Sequence, residues 1–233
     1  MTQPYVGHEL DIFRHAKNWK EYWSSQIGAY VRGDVLEVGA GLGANTEFLL
    51  SSRVSSWTCL EPDPELGERM RRLFAEHPSL ARCRVETGST ETFSTRTRFH
   101  VVLYVDVLEH IPDDRRELAR ASALLLPGGT IIVLAPAHQW LYTPFDKAIG
   151  HQRRYNKDRL SACTPSDCVI IELMYLDSVG ILASLGNCLA RQATPQLRHI
   201  LFWDRVLVPS SRWVDAFTSY RIGKSIVGIW RKL

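Results

Sequence analysis

The chain has no Cys-x-x-Cys pair. Its five cysteines, Cys59, Cys83, Cys163, Cys168 and Cys188, are odd in number and widely spaced. That argues against a zinc site or a disulfide framework and leaves reduced thiols, as in a cytoplasmic protein. An excess of either charge is also missing: 28 basic residues face 25 acidic ones, a formal net charge of +3. A nucleic-acid partner needs a concentrated basic face, so none is expected. The opening Met1-Thr2-Gln3-Pro4, followed by His8, Glu9 and Asp11, lacks the basic start and apolar stretch of a signal peptide. The longest apolar run, Val179 to Ala190, is interrupted by Ser184, Gly186 and Asn187. It falls short of the roughly 20 apolar residues that span a bilayer. No repeat or low-complexity tract divides the chain, and its 233 residues, 45% of them hydrophobic, suffice for one full core.

Residues 8 to 30 read as helical, with Leu10, Phe13, Trp19, Tyr22, Trp23, Ile27 and Tyr30 on an apolar face. Val35 to Val38 reads as a short buried strand, and Asn45 to Ser52 as a helix whose first turn points at the intervening glycines. Trp57 to Glu61 is the second strand, stopped by Pro62-Asp63-Pro64, and Glu65 to Glu76 the next helix. Arg82 to Thr87 gives a third strand. Phe99 to Val105 is a nearly continuous apolar run, as in a parallel strand covered on both faces. Pro112-Asp113-Asp114 starts a helix, because proline suits the first turn and carboxylates favour its positive end. Thr130 to Leu134 is the fifth strand. The alternation predicts an open, doubly wound α/β sheet. Beyond it come a polar loop from Ala137 to Tyr155, a helix near Lys157 to Cys163, and a strand over Val169 to Tyr175. Helices broken at Pro195 and Pro209 then fill Val179 to Tyr220, before a closing strand at Ser225 to Trp230. The expected single domain comprises a helical cap (1–32), a binding core (33–136) and a segment carrying a loop, an inserted helical region and the closing strands (137–233).

The loop Glu37-Val38-Gly39-Ala40-Gly41-Leu42-Gly43 lies between a strand and a helix. Glycines there let backbone amides approach a ligand without an intervening Cβ. Glu61 ends the next strand, where a carboxylate can accept both ribose hydroxyls of an adenosine ligand. The spacing is GxGxG rather than the GxGxxG of dinucleotide enzymes, so no pyrophosphate cradle is evident.

This loop resembles the first motif of the class I S-adenosylmethionine-dependent methyltransferases. Tyr104-Val105-Asp106-Val107-Leu108-Glu109-His110-Ile111 looks like the fourth-strand motif of that family, and Leu125-Leu126-Pro127-Gly128-Gly129 like the turn before its fifth strand. The resemblance implies a Rossmann-like, seven-stranded sheet with N-terminal helices and a helical insertion before the last strand. It further implies a cofactor site of Glu37, Gly39, Ala40, Gly41, Asn45, Glu61, Pro62, Asp63, Asp106, Val107 and His110, with Glu61 on the ribose and Pro62 and Asp63 beside the adenine. Many members carry an aspartate after the third strand. This chain has Gly88-Ser89-Thr90 instead, which leaves adenine recognition to a hydroxyl or to backbone groups. The stretches Pro136 to Trp140, Gly150 to Tyr155 and Phe202 to Ser225 are similar to a bacterial subgroup often associated with polysaccharide or natural-product pathways.

Methyl transfer is an in-line displacement, so a general base is needed only where the nucleophile arrives protonated. The acceptor is expected to be a small molecule methylated on O, N or C. His151 or His110 is the expected proton acceptor, histidine having an ordinary pKa near 6.5, with Arg153 and Tyr155 positioning the substrate. Asp106-x-x-Glu109-His110 also resembles the metal-binding pattern of small-RNA 2′-O-methyltransferases. A divalent ion on Asp106, Glu109, His110 and His151 is therefore a possible arrangement, though not the favoured one. Between Val179 and Tyr220, Phe202, Trp203, Trp213 and Phe217 stand beside Arg191, Arg198, Arg205 and Arg212, either as packed helices or as a lid or lipid-docking surface. The alternatives are a cofactor-binding sensor or non-methylating enzyme, and a nicotinamide-dependent oxidoreductase. Oligomeric state is not legible.

Overall fold

In the centre of the molecule, side chains alternate strictly between two apolar layers, as the two-residue repeat of a strand requires. Val101, Leu103 and Val105 belong to one layer and Val102 and Tyr104 to the other; Ile132 and Leu134, against Ile131, Val133 and Ala135, repeat the pattern. A strand apolar on both sides must be covered on both sides, and helices do so here. The structure, a computed structural model, describes residues 9–80, 82–190 and 196–233. His8, Arg191 and Pro195 lie outside the described residues.

The elements run α1 (Glu9–Phe13), α2 (Lys17–Ile27), β1 (Gly33–Val38), α3 (Thr46–Leu49), β2 (Val54–Glu61), α4 (Pro64–Glu76), β3 (Cys83–Thr87) and β4 (Phe99–Val105). There follow α5 (Asp114–Leu124), β5 (Leu125–Pro136), α6 (Pro144–Ala148), α7 (Lys157–Ser161), β6 (Cys168–Leu176) and α8 (Gly180–Ala190). Then come α9 (Leu197–Phe202), a π turn (Trp203–Leu207), α10 (Val208–Phe217) and β7 (Ser225–Lys232). The seven strands form one sheet in the order β3-β2-β1-β4-β5-β7-β6. Strands β1 to β5 pair in parallel, while β7 is antiparallel to both β5 and β6. This is the Rossmann-like class I methyltransferase sheet, with the helical insertion placed before the last strand as expected.

Local chemistry sets several boundaries. Asp63 caps α4 by accepting from the amides of Glu65 (2.8 Å) and Leu66 (3.3 Å), with Pro64 in the first turn. Asp113 caps α5 through the Arg116 amide at 3.0 Å. The helix expected over Asn45–Ser52 shortens to one turn, because Leu50 turns extended and β2 starts early at Val54, paired with Gly33. Strand β5 likewise begins at Leu125, carrying Pro127-Gly128-Gly129 as a bulge opposite β4. The loop expected from Ala137 to Tyr155 contains α6, whose start is a reciprocal capping box of Thr143 and Asp146.

The helix expected over 8–30 breaks between Phe13 and Lys17. Its second half, α2, is capped from far along the chain: Asp204, in the π turn, accepts from the Trp19 amide at 2.9 Å and the Asn18 amide at 3.3 Å. Two further buried aspartates complete this join. Asp215 accepts from Tyr22 Oη (2.7 Å) and from the amides of Asp177 and Ser178 (2.7 and 3.0 Å). Asp177 accepts from Trp203 Nε1 and Ser211 Oγ, both at 2.6 Å, and from the Gly180 amide at 3.1 Å, with Lys224 Nζ at 3.3 Å.

Candidate active site

A cavity of about 850 Å³ opens at the carboxyl ends of the central strands, where ligands of open α/β sheets bind. Gly39, Ala40, Gly41 and Asn45 line it after β1, Glu61 and Pro62 after β2, and Asp106, Val107, Glu109 and His110 after β4. The roof comes from α2 (Trp19, Lys20, Trp23) and from the insertion (Ile200, Phe202, Trp203).

The glycine loop is held in left-handed backbone, with φ of +67° at Gly39 and +69° at Gly43. A Cβ on Gly39 would lie 2.7 Å from Val107 Cγ2, so the loop and the turn after β4 can meet only through glycine. Gly43 has a different duty, since a Cβ there would strike the Phe74 ring at 2.7 Å and push α4 away. Glu61 braces the loop from below. Its Oε2 accepts from the Gly41 amide at 2.7 Å and its Oε1 from the Asp63 amide at 3.0 Å, which aims a buried carboxylate at the cavity.

Asp106 stands at the tip of β4 with φ +53°, an uncommon backbone for a residue with a side chain. Its side chain is exposed to the cavity. Reduced solvation at the cavity floor raises its pKa, against the attraction of His151, Lys224, Lys20 and Arg154. His110 is held down at about 4 by burial and then by its neighbour His151; the two rings meet edge to face at 4.6 Å. His151 Nδ1 lies 2.8 Å from Asp146 Oδ1. Burial alone would raise the pKa of Asp146, but hydrogen bonds from His151 and Arg154 hold it below the usual carboxylate range. The Arg154 fork grips the same carboxylate at 2.9 and 2.8 Å. With Nδ1 donating to Asp146, Nε2 of His151 carries the free lone pair, and it points toward Glu109 Oε1 at 3.7 Å. Glu109 is fully buried, and neither of its carboxylate oxygens has a hydrogen-bond partner among the described residues.

Gly39, Ala40, Gly41, Asn45, Glu61, Pro62, Asp106, Val107, His110 and His151 all meet at this cavity. Other expected residues lie elsewhere. Arg153 pairs with Asp114 at 2.7 Å and donates to the Pro112 carbonyl at 2.8 Å, while Tyr155 Oη reaches Asp114 at 2.9 Å and the Leu108 carbonyl at 3.2 Å. Both clamp the loop to the start of α5 instead of facing an acceptor. The reason is the alternation across the bridge between Ala137 and Tyr155, which turns this end of the loop into the layer of Leu108 and Leu118. Asp63 is occupied as a helix cap. Gly88 donates its amide to the Glu61 carbonyl at 2.9 Å, Ser89 turns on Thr92, and Thr90 donates to Glu117 at 2.7 Å; none of the three lines the cavity.

Glu37 also points away from the cavity, into the core. Its Oε2 accepts from Thr46 Oγ1 at 2.8 Å and Trp57 Nε1 at 2.9 Å, while Oε1 has no partner among the described residues. Burial pushes its pKa up to about 7 from an ordinary 4.5, with those hydrogen bonds opposing the rise. A carboxyl with a raised folded pKa keeps a proton that the unfolded chain has released, so its penalty is absent below about pH 4.5 and complete above about pH 7. Glu37→Gln is therefore expected to stabilise the protein above pH 7 by an amount on the order of 3 kcal/mol and to change little at pH 4.5. Urea unfolding at the two pH values measures this; equal effects at both would show that Glu37 is not a buried neutral carboxyl.

The residue most clearly missed is Lys20. It sits among the tryptophans of α2 with its Nζ on the Phe13 carbonyl at 2.8 Å, and burial lowers its pKa to about 8 against the pull of Asp204 and Asp106. An ammonium in an otherwise aromatic helix face carries no signal of its own.

The sheet order and the cavity beyond its central strands match the fold that the glycine-loop motif implies. Residues 36–131 match the family model of a methyltransferase domain. The lovastatin nonaketide synthase of Monascus pilosus is 29% identical over 121 residues, which is 47% of this chain and 4% of that protein. The chain thus spans only a small part of the curated relatives it matches first. Solved structures share the fold, among them an N-methyltransferase and a cyclase. Coclaurine N-methyltransferase bound to N-methylheliamine and S-adenosylhomocysteine superposes with a TM-score of 0.62 at 13% identity, covering 93% of this chain and 72% of that one. The [4+2]-cyclase SpnF gives a TM-score of 0.64 at 12% identity, covering 100% and 97%. The match to the methyltransferase-domain model thus covers residues 36–131, and the chain as a whole shares the fold of solved methyltransferases.

Proposed function

We propose that this protein transfers the methyl group of S-adenosylmethionine to a small-molecule acceptor in the cytoplasm, a metabolite of natural-product or sugar type. The observation that carries this reading is the shared cavity, in which the braced Gly39–Gly41 loop and Glu61 stand at one end and the Asp146–His151 pair at the other. Its size falls in the range of small-molecule sites, roughly 300–1,000 Å³. The donor set also fits the methyl donor: close backbone without a Cβ, a buried carboxylate for a diol, and charges of both signs for an amino acid. When bound, S-adenosylmethionine supplies a methyl group on an electrophilic sulfonium.

Glu61 accepts the ribose hydroxyls, and Gly39 and Gly41 let the backbone approach. Lys20 would hold the carboxylate of the methionine end and Asp106 its ammonium. The aromatic roof excludes water. His151 Nε2 would take the proton of a hydroxyl acceptor as it attacks, or that of an ammonium before it attacks. Asp146 would steady the resulting imidazolium, while burial holds His110 neutral.

Calorimetry is expected to show binding of S-adenosylmethionine and S-adenosylhomocysteine but not of NAD. His151→Ala should keep cofactor affinity within about threefold and lower kcat by 10²–10⁴-fold on a protonated acceptor; undiminished turnover would sink the assignment. Cofactor binding with no methylation of any acceptor would favour a non-methylating enzyme such as a cyclase, whose chemistry the same fold hosts in SpnF. A second reading of the cluster is favoured by the two unpartnered oxygens of Glu109. Glu109, His110 and His151 offer ligand atoms within 4.8 Å of one another, and a divalent ion held there would lower the pKa of an acceptor hydroxyl. Activity lost on chelation and restored by a divalent salt would establish the ion, and full activity after chelation would remove it.

A further inference from the structure

From α9 through α10 the exposed face is apolar and aromatic where a soluble surface is ordinarily polar. Phe217 is 90% exposed, Trp213 83% and Phe202 59%, with Val206 exposed between them. Trp213 and Phe217 are one helical turn apart, as are Phe202 and Val206, so the four follow one side of the rod. The charges on the same segment are sorted by burial. Arg198, Arg205, Arg212 and Arg221 are exposed, whereas its two acidic residues, Asp204 and Asp215, are fully buried in the join to α2. Arg212 leans toward Glu21 on α2 at 3.9 Å. Among the described residues no helix is long and apolar enough to cross a membrane.

We propose that this face docks on the surface of an anionic phospholipid bilayer, with Trp213 and Phe217 entering the headgroup region and the arginines meeting lipid phosphates. An aromatic stripe flanked by cations is the pattern of a helix lying in the membrane interface. A second copy of the chain fits less well, since a symmetric pairing of this patch with itself would set arginines against arginines. Position gives the docking a use. Phe202, with its neighbours His199, Ile200 and Trp203, also lines the cavity, so the docked face adjoins the site where the acceptor is received. An acceptor carrying a lipid tail can then enter without leaving the bilayer. Docking itself does not depend on which reaction the cavity performs.

Flotation with phosphatidylcholine vesicles, with and without phosphatidylglycerol, tests this. Binding is expected only to the anionic vesicles and should fall as salt is raised. The double variant Trp213→Ser/Phe217→Ser, at two positions outside the cavity, should reduce it at least tenfold. Arg205→Gln/Arg221→Gln should reduce it while leaving the aromatic stripe intact. Circular dichroism and turnover of a water-soluble acceptor, both unchanged, would show that the variants fold. No binding by the unaltered protein, or equal binding to both vesicles, would overturn the proposal. So would a dimer in light scattering that the Trp213→Ser/Phe217→Ser variant dissociates.

Discussion

Replacing Glu61 with alanine is expected to weaken S-adenosylhomocysteine binding by at least about 100-fold. Two losses add. The carboxylate is the acceptor for the ribose diol, and hydrogen bonds to a charged group contribute roughly 1.5–3 kcal/mol each; two of them account for about a hundredfold change in affinity. The same side chain holds the Gly41 and Asp63 amides at 2.7 and 3.0 Å, so its removal also loosens the loop that must lie against the ligand. Glu61→Gln keeps an acceptor and a donor in the same shape and should fall between the two. Calorimetric titration measures both variants, with thermal unfolding as the check on folding. A Kd within threefold of the unaltered protein for Glu61→Ala would mean that the ligand does not rest on this carboxylate.

The largest expected effect on stability belongs to Asp177. Its carboxylate joins four donors from three parts of the insertion and from the turn before β7: the Gly180 amide, Trp203, Ser211 and Lys224. Lys224 is half-buried, and its ammonium lies over the Trp203 ring at 3.7 Å. Asp177→Ala leaves that half-buried ammonium without its counter-charge and three buried donors without an acceptor, a loss on the order of 3 kcal/mol. The backbone adds to the loss, since Asp177 sits at φ +64°, a conformation that Asp and Asn tolerate better than alanine. Asp177→Asn keeps that tolerance and one acceptor oxygen, so it should lie between. Urea unfolding reads the difference. A loss below 1 kcal/mol for Asp177→Ala would show that the insertion is anchored mainly by its apolar contacts.

Both experiments bear on features of unequal visibility in the primary structure. The strands around Leu36, Leu103 and Ile132 were legible because a parallel strand buried on both faces leaves an uninterrupted apolar run. The starts of α4 and α5 were legible because proline and aspartate act on the residues next to them. The glycine loop and Glu61 were legible for the same reason, a local spacing that serves a local turn. What escaped notice depends on partners far away in the chain. The break before α2 reflects a cap contributed by Asp204, and Lys20 gains meaning only from the cavity that it faces. Arg153 and Tyr155 adjoin His151 in the chain, yet the fold sends them to Asp114 while His151 goes to Asp146. Proximity along the chain misled there because the loop crosses from the cavity to the opposite layer within four residues of His151. Glu37 looked like part of the ligand set, but the first turn of α3 and Trp57 draw it inward.

The cap that Asp204 provides for α2 has a consequence for the order in which the molecule is completed. Helix α2 leaves the ribosome long before the residue that satisfies its first amides has been made. Until the π turn and α10 arrive, the amides of Asn18 and Trp19 have only water, and the aromatic face of α2 has no counterpart. Strand β7, which fills the gap between β5 and β6, is later still. The nascent chain therefore carries a formed glycine loop beneath an unroofed cavity, with one edge of β5 open. In that interval, apolar surface and an unpaired strand edge are both available to chaperones and to other chains.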